Sequence, residues 1–76
     1  MPDLLALRTE WALTVNGETR AIQPGSSVTD LLALIGLAER KVAVERNLEI
    51  VPRSQYGSTI LAAGDAIEIV HFIGGG

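Results

Sequence analysis

Side chains able to do covalent chemistry are sparse in these 76 residues, and none is spaced for a catalytic arrangement. The single histidine, His71, is the only imidazole available to Ser26, Ser27, Ser54 or Ser58. Gly25-Ser26-Ser27 also lacks the Gly-x-Ser-x-Gly elbow that exposes a nucleophile, so a hydrolytic triad is not expected. Cysteine is absent, which excludes a thiolate nucleophile, a disulfide framework and a cysteine zinc site. Glu45 and Glu49, the closest pair of strand-borne carboxylates, read as a solvated edge rather than an acid–base couple. No Gly-x-x-x-x-Gly-Lys-Ser/Thr loop is present to cradle a phosphate. The expectation is no catalytic residue, no metal site and no bound cofactor.

One feature does suggest chemistry. The sequence closes on Ile73-Gly74-Gly75-Gly76, three glycines directly after a predicted strand. Glycine maximises backbone freedom and removes every side chain. Taken as a C-terminus, this tail extends on the order of 13 Å at ~3.3 Å per residue, enough to enter a narrow slot in another protein. Its reactive group is then the α-carboxylate of Gly76, ionised at neutral pH because such groups titrate at roughly 3.3–3.7. Gly74 and Gly75 are the residues expected to thread.

Composition constrains what could carry such a tail. Forty-seven per cent hydrophobic and 20% charged residues describe a single small globular domain with an aliphatic core, since only Trp11, Tyr56 and Phe72 are aromatic. Six basic against nine acidic residues leave a net charge of −3, the wrong sign for a nucleic-acid footprint. Residues 1–10 begin acidic and are interrupted by Arg8, too short for a signal peptide or a membrane span. A cytoplasmic location with no membrane contact is expected. Arg40, Lys41, Arg46 and Arg53 read as a diffuse, solvated basic set.

The elements follow from periodicity. Trp11, Leu13 and Val15 alternate on one face of a strand, and Asn16-Gly17 suits a two-residue hairpin turn with positive φ at both positions. The return strand, Glu18 to Ile22, then pairs Val15 with Glu18, Leu13 with Arg20 and Trp11 with Ile22. Arg20 beside a core-facing leucine is a conflict, resolved either by a stem lying along the sheet rim with its charge in water or by a longer loop. Val28, Leu31, Leu32 and Ile35 form one helical stripe, with Leu34 and Leu37 on its flank. Ser27 caps the helix with Asp30 three residues on, and Gly36 is placed to end it. Val42-Ala43-Val44-Glu45 reads as a third strand. After a turn at Asn47, Leu48 to Val51 reads as a fourth, stopped by Pro52. Arg53 to Gly57 is a connection that could hold a helical turn, with Tyr56 as a lid on the core. Thr59 to Leu61 reads as short and extended, and Ala66 to Ile73 as the last strand.

One helix covers only one face of such a sheet. In the last strand Ile67, Ile69, His71 and Ile73 share one side, while Glu68, Val70 and Phe72 share the other. The charge on Glu68 makes its side the solvent face, so Val70 and Phe72 stand out as an exposed apolar pair and a candidate docking surface. His71 reads as a rim histidine.

The element order and the glycine tail resemble the β-grasp, or ubiquitin-like, fold. Four stretches are similar to the sulfur carrier proteins of thiamine biosynthesis, the ThiS type. These are Val15-Asn16-Gly17, Val44 to Arg53 (which contains Ile50-Val51-Pro52-Arg53), Gly64 to Val70, and His71-Phe72-Ile73-Gly74-Gly75-Gly76. The resemblance covers roughly residues 11–76. It implies an α+β fold, with a mixed sheet of four to five strands packed on one main helix and a flexible tail. The corresponding division is a 1–10 extension, an 11–73 domain and a 74–76 tail. It further implies that a partner resembling ubiquitin-activating enzymes uses ATP to adenylate Gly76, and that sulfur-transfer proteins on a cysteine desulfurase route convert the adenylate to a thiocarboxylate. Thiazole synthase would then take the sulfur for the thiazole phosphate half of thiamine. The chain would be a protein co-substrate rather than an enzyme, monomeric when free, with Val70 and Phe72 docking both partners. Two alternatives share the fold. One is the small sulfur-donating subunit of molybdopterin synthase, whose tail usually follows a proline-containing stretch absent here. The other is a ubiquitin-like modifier or binding module.

Overall fold

The computed structural model describes residues 11–38 and 40–72, and the elements run β1 (Trp11–Val15), β2 (Glu18–Ile22), α1 (Val28–Leu34), β3 (Val42–Arg46), β4 (Glu49–Val51), a single 3₁₀ turn (Arg53–Gln55) and β5 (Ala66–His71). Residues 1–10 and 73–76, and with them the expected extension, the end of the last strand and the glycine tail, lie outside the described residues. The five strands form one mixed sheet in the order β2-β1-β5-β3-β4. β5 is therefore central, parallel to β1 and antiparallel to β3.

The first hairpin has the expected register, with Trp11 opposite Ile22, Leu13 opposite Arg20 and Val15 opposite Glu18. Asn16 and Gly17 adopt φ of 51° and 86°, the left-handed pair that a two-residue turn needs to match strand twist. Arg20 is exposed. Because β2 is an edge strand, this position lies at the sheet rim, so the first resolution of the conflict is the observed one.

Val28, Leu31 and Leu32 of α1 are buried against Leu13, Val15, Val44, Ile67 and Ile69 of the sheet, with Leu61 filling the core from the loop before β5. Both halves of the capping box form: Asp30 N–H donates to Ser27 Oγ at 3.1 Å, and Ser27 N–H donates to Asp30 Oδ2 at 2.9 Å. An aspartate thus completes the reciprocal pair usually made by Glu or Gln. The helix ends at Leu34, and Gly36 follows at φ 83° with its N–H donating to Ala33 O. Ile35 and Leu37 pack on the core, whereas Leu34 faces solvent rather than covering the flank. Tyr56 sits over the core as expected and donates its hydroxyl to Val42 O at 3.1 Å. Thr59 to Leu61 is no sheet strand; Ile60 makes only an isolated bridge to Ser27.

The second hairpin departs from expectation. Leu48 belongs to the turn, not to β4, with φ 72° and 88% of its surface exposed. A left-handed conformation costs a β-carbon-bearing residue about 1–2 kcal/mol, and here no buried surface offsets it. Leu48→Gly should therefore raise stability by about 0.5–1 kcal/mol after the extra unfolded-state freedom of glycine is deducted. That corresponds to a thermal midpoint higher by roughly 2–8 °C, and a lower midpoint would show that the leucine side chain stabilises the turn.

Candidate functional site

The site is built around the exit of β5. Backbone pairing with β1 covers only Thr14–Ala66 and Val15–Ile67, because β1 then turns away at Asn16. Asn16 takes over the ladder. Its backbone N–H donates to Ile67 O at 2.8 Å, its side-chain Nδ2 donates to Ile69 O at 3.1 Å, and its Oδ1 accepts from Ile69 N–H at 2.7 Å. A carboxamide carries the donor and acceptor of a peptide group, so one side chain substitutes for a missing strand residue. Asparagine also tolerates the left-handed backbone of the turn.

Asn47 does the same for the start of β5. Its N–H donates to Ala66 O at 2.8 Å, and its Oδ1 accepts from Ala66 N–H at 2.9 Å. Its Nδ2 donates to Asp65 Oδ1 at 3.1 Å. Asp65, only 7% exposed, also accepts from Arg46 Nε and from the Ala62 N–H, both at 2.8 Å on Oδ2. Burial pushes the Asp65 carboxyl upward, but the bonds from Ala62 N–H, Asn47 and Arg46 outweigh it and hold the group below its ordinary 3.8. Arg46 is therefore a structural residue and not part of a solvated basic set.

With β5 held in this way, its even-numbered side chains point away from the helix. Val70 is 59% exposed and Phe72 62%, on the outward face of the sheet. Phe72 lies just past the strand, where its N–H still donates to Lys41 O at 3.1 Å. Ile50, 71% exposed on β4 at the far side of β3, lies on the same face because its partner Glu45 also faces outward while Val44 and Val51 are buried, and it shares a hollow with Phe72. The sequence carried a signal for Ile50: alternation with the core residue Val51 puts it outside. His71 is exposed and borders a groove with Arg20, Glu18, Ile35 and Leu37 on the helix side of the sheet. Glu45 stands opposite Glu68 rather than beside Glu49. Gly74, Gly75 and Gly76 lie outside the described residues.

Among the described residues no group of three or more His, Asp or Glu is placed to hold a metal ion. No helix among them is long and apolar enough to cross a membrane.

A mixed sheet of this order packed on helix α1 defines a β-grasp domain, with an apolar patch beside the exit of its central strand. A family model described as the ThiS family matches residues 13–76. The chain belongs to the ThiS family. It is 48% identical over 50 residues to the sulfur carrier protein ThiS of Bacillus subtilis, covering 66% of this chain and 76% of that one. It is 53% identical over 64 residues to a thiazole synthase of Paramagnetospirillum magneticum. That match takes in 84% of this chain but spans only about a fifth of the thiazole synthase. The crystal structure of the thiamine biosynthesis protein ThiS from Geobacter metallireducens superposes with a TM-score of 0.73 at 37% identity, covering 86% of this chain and 99% of that one.

Proposed function

We propose that the chain is a sulfur carrier of thiamine biosynthesis that presents the carboxylate of Gly76 to two partners in turn. The observation that carries this reading is the match to the ThiS family across residues 13–76, which runs through the glycine tail. The chemistry requires a free α-carboxylate on Gly76. A carboxylate oxygen is a poor leaving group, so an activating enzyme first supplies ATP. The carboxylate attacks the α-phosphate, pyrophosphate leaves, and an acyl-adenylate forms. Sulfide delivered by a sulfur-transfer protein then adds to the acyl carbon and expels AMP, giving the thiocarboxylate and releasing a proton. Thiazole synthase is the acceptor. The 53% identity to a segment of a protein named thiazole synthase supports that pairing, since a carrier joined to its acceptor has a high effective concentration there. In this scheme the chain is the substrate of its partners, and ATP is bound by the activating enzyme.

The test is intact-mass spectrometry after incubation with ATP, the activating enzyme and a sulfide source. Exchange of one oxygen for sulfur is expected, and an unchanged mass with an active enzyme would overturn the reading. Val70 and Phe72 supply the contact that keeps the tail engaged. Phe72→Ala or Val70→Asp should weaken binding to the activating enzyme about 10-fold or more, as loss of an apolar anchor does, with the thermal midpoint little changed. Equal affinity would remove these two residues from the interface.

A further inference from the structure

The outward face of the sheet is graded in charge along the strands, and the grading is set by register. Glu45 and Glu68 stand directly opposite each other on β3 and β5, with Ile50 beside Glu45 on β4. One row further on come Ala43 and Val70, and beyond them Lys41 and Phe72. Rows on one face are two residues apart, about 6.6–6.8 Å, so the carboxylate row and the lysine row are separated by ~13 Å of apolar surface. Arg53 joins Lys41, Ile50 and Phe72 around the hollow at the basic end.

The acidic row is unfavourable in the free domain. Like charges directly opposite on adjacent strands repel. Among the described residues the one ion pair is Arg46 with Asp65, so neither glutamate is paired with a described cation. The pair also adjoins Ile50 and Val70, both exposed. Such an arrangement is improved by a counter-charge from outside, and a guanidinium suits it because its fork of donors can serve two carboxylates at once.

The geometry points to a docking surface for one ridge of thiazole synthase: an arginine set between Glu45 and Glu68, aliphatic side chains over Ile50, Val70 and Phe72, and a carboxylate facing Lys41 and Arg53. Opposite charges at the two ends allow one orientation and penalise the reversed one. The patch borders the exit of β5, so fixing its direction also fixes the direction in which β5 meets the partner. This inference rests on the proposed pairing with thiazole synthase.

The experiment uses the full chain and purified thiazole synthase, with affinity measured by calorimetry at low and high salt. Glu45→Gln together with Glu68→Gln should raise the thermal midpoint of the free chain by about 1–5 °C, because repulsion is relieved. The same double variant should bind thiazole synthase about 10-fold or more weakly at low salt, since charge-assisted bonds are lost, and its affinity should depend less on salt. Lys41→Gln should weaken binding in the same direction. Wild-type affinity retained by the double variant overturns this inference and leaves the pairing intact. A lowered midpoint alongside weaker binding also overturns it, marking the glutamates as structural. No measurable binding by the wild-type chain overturns both this inference and the pairing with thiazole synthase.

Discussion

Asp65→Ala lowers the stability of the domain by about 2–4 kcal/mol, through loss of three hydrogen bonds of which one is to a guanidinium. Total stability of a chain this size is roughly 4–11 kcal/mol, so the variant is close to unfolding at physiological temperature. The cause is convergence. Arg46 Nε, Asn47 Nδ2 and Ala62 N–H all donate toward one buried carboxylate, and only an acceptor on both oxygens satisfies them. Asp65→Asn therefore rescues little, because its amide turns a donor toward donors. The pH dependence has a definite sign. The folded carboxyl is held below 3.8, so Asp65 contributes its electrostatic share of stability above that value and loses it as pH falls through the lower folded value. Denaturant titrations should show a wild-type-to-variant gap that is full at neutral pH and narrows below 3.8. A gap that is constant with pH would mean that the charge contributes nothing.

Deleting Gly75 and Gly76 abolishes the oxygen-for-sulfur mass change while circular dichroism reports an intact fold. The expected effect is all-or-none. Shortening the tail by two residues withdraws its acid group by up to ~7 Å, whereas productive attack needs the reacting atoms within about 3.5 Å. Gly75→Val tests the other half of the argument. It preserves length but adds a branched side chain, and it should slow thiocarboxylate formation strongly if the tail passes through a tight slot. Normal loading of the deletion variant would move the modified group elsewhere in the chain.

Much of this molecule was legible before its structure, for local reasons. Asn16-Gly17 admits one turn geometry, and a two-residue turn fixes the pairing of everything beside it, so even the awkward Leu13–Arg20 pair was placed correctly. Alternation in β5 separated Ile67 and Ile69 from Val70, and the resemblance to the ThiS family was borne out. What stayed hidden is long-range. Nothing local to Asn16 says that its side chain will replace a strand residue for Ile69, 53 positions away. The same holds for Arg46 and Asn47 meeting at Asp65, where charges read as solvated prove structural. Leu48 was misplaced because its apolar side chain argues for a strand, while the second hairpin demands a left-handed residue there. Proximity in sequence groups Glu45 with Glu49 on one solvated edge, whereas sheet register sets Glu45 against Glu68.

The flanking of β5 on both sides also has a mechanical consequence. Traction applied at residue 72 along the strand axis meets bonds to β3 on one side and to β1 and Asn16 on the other, all lying across the direction of force. They are loaded in shear and must yield together, instead of peeling one after another as in an end-pulled hairpin. A domain of modest thermodynamic stability can thus resist being unravelled from that end.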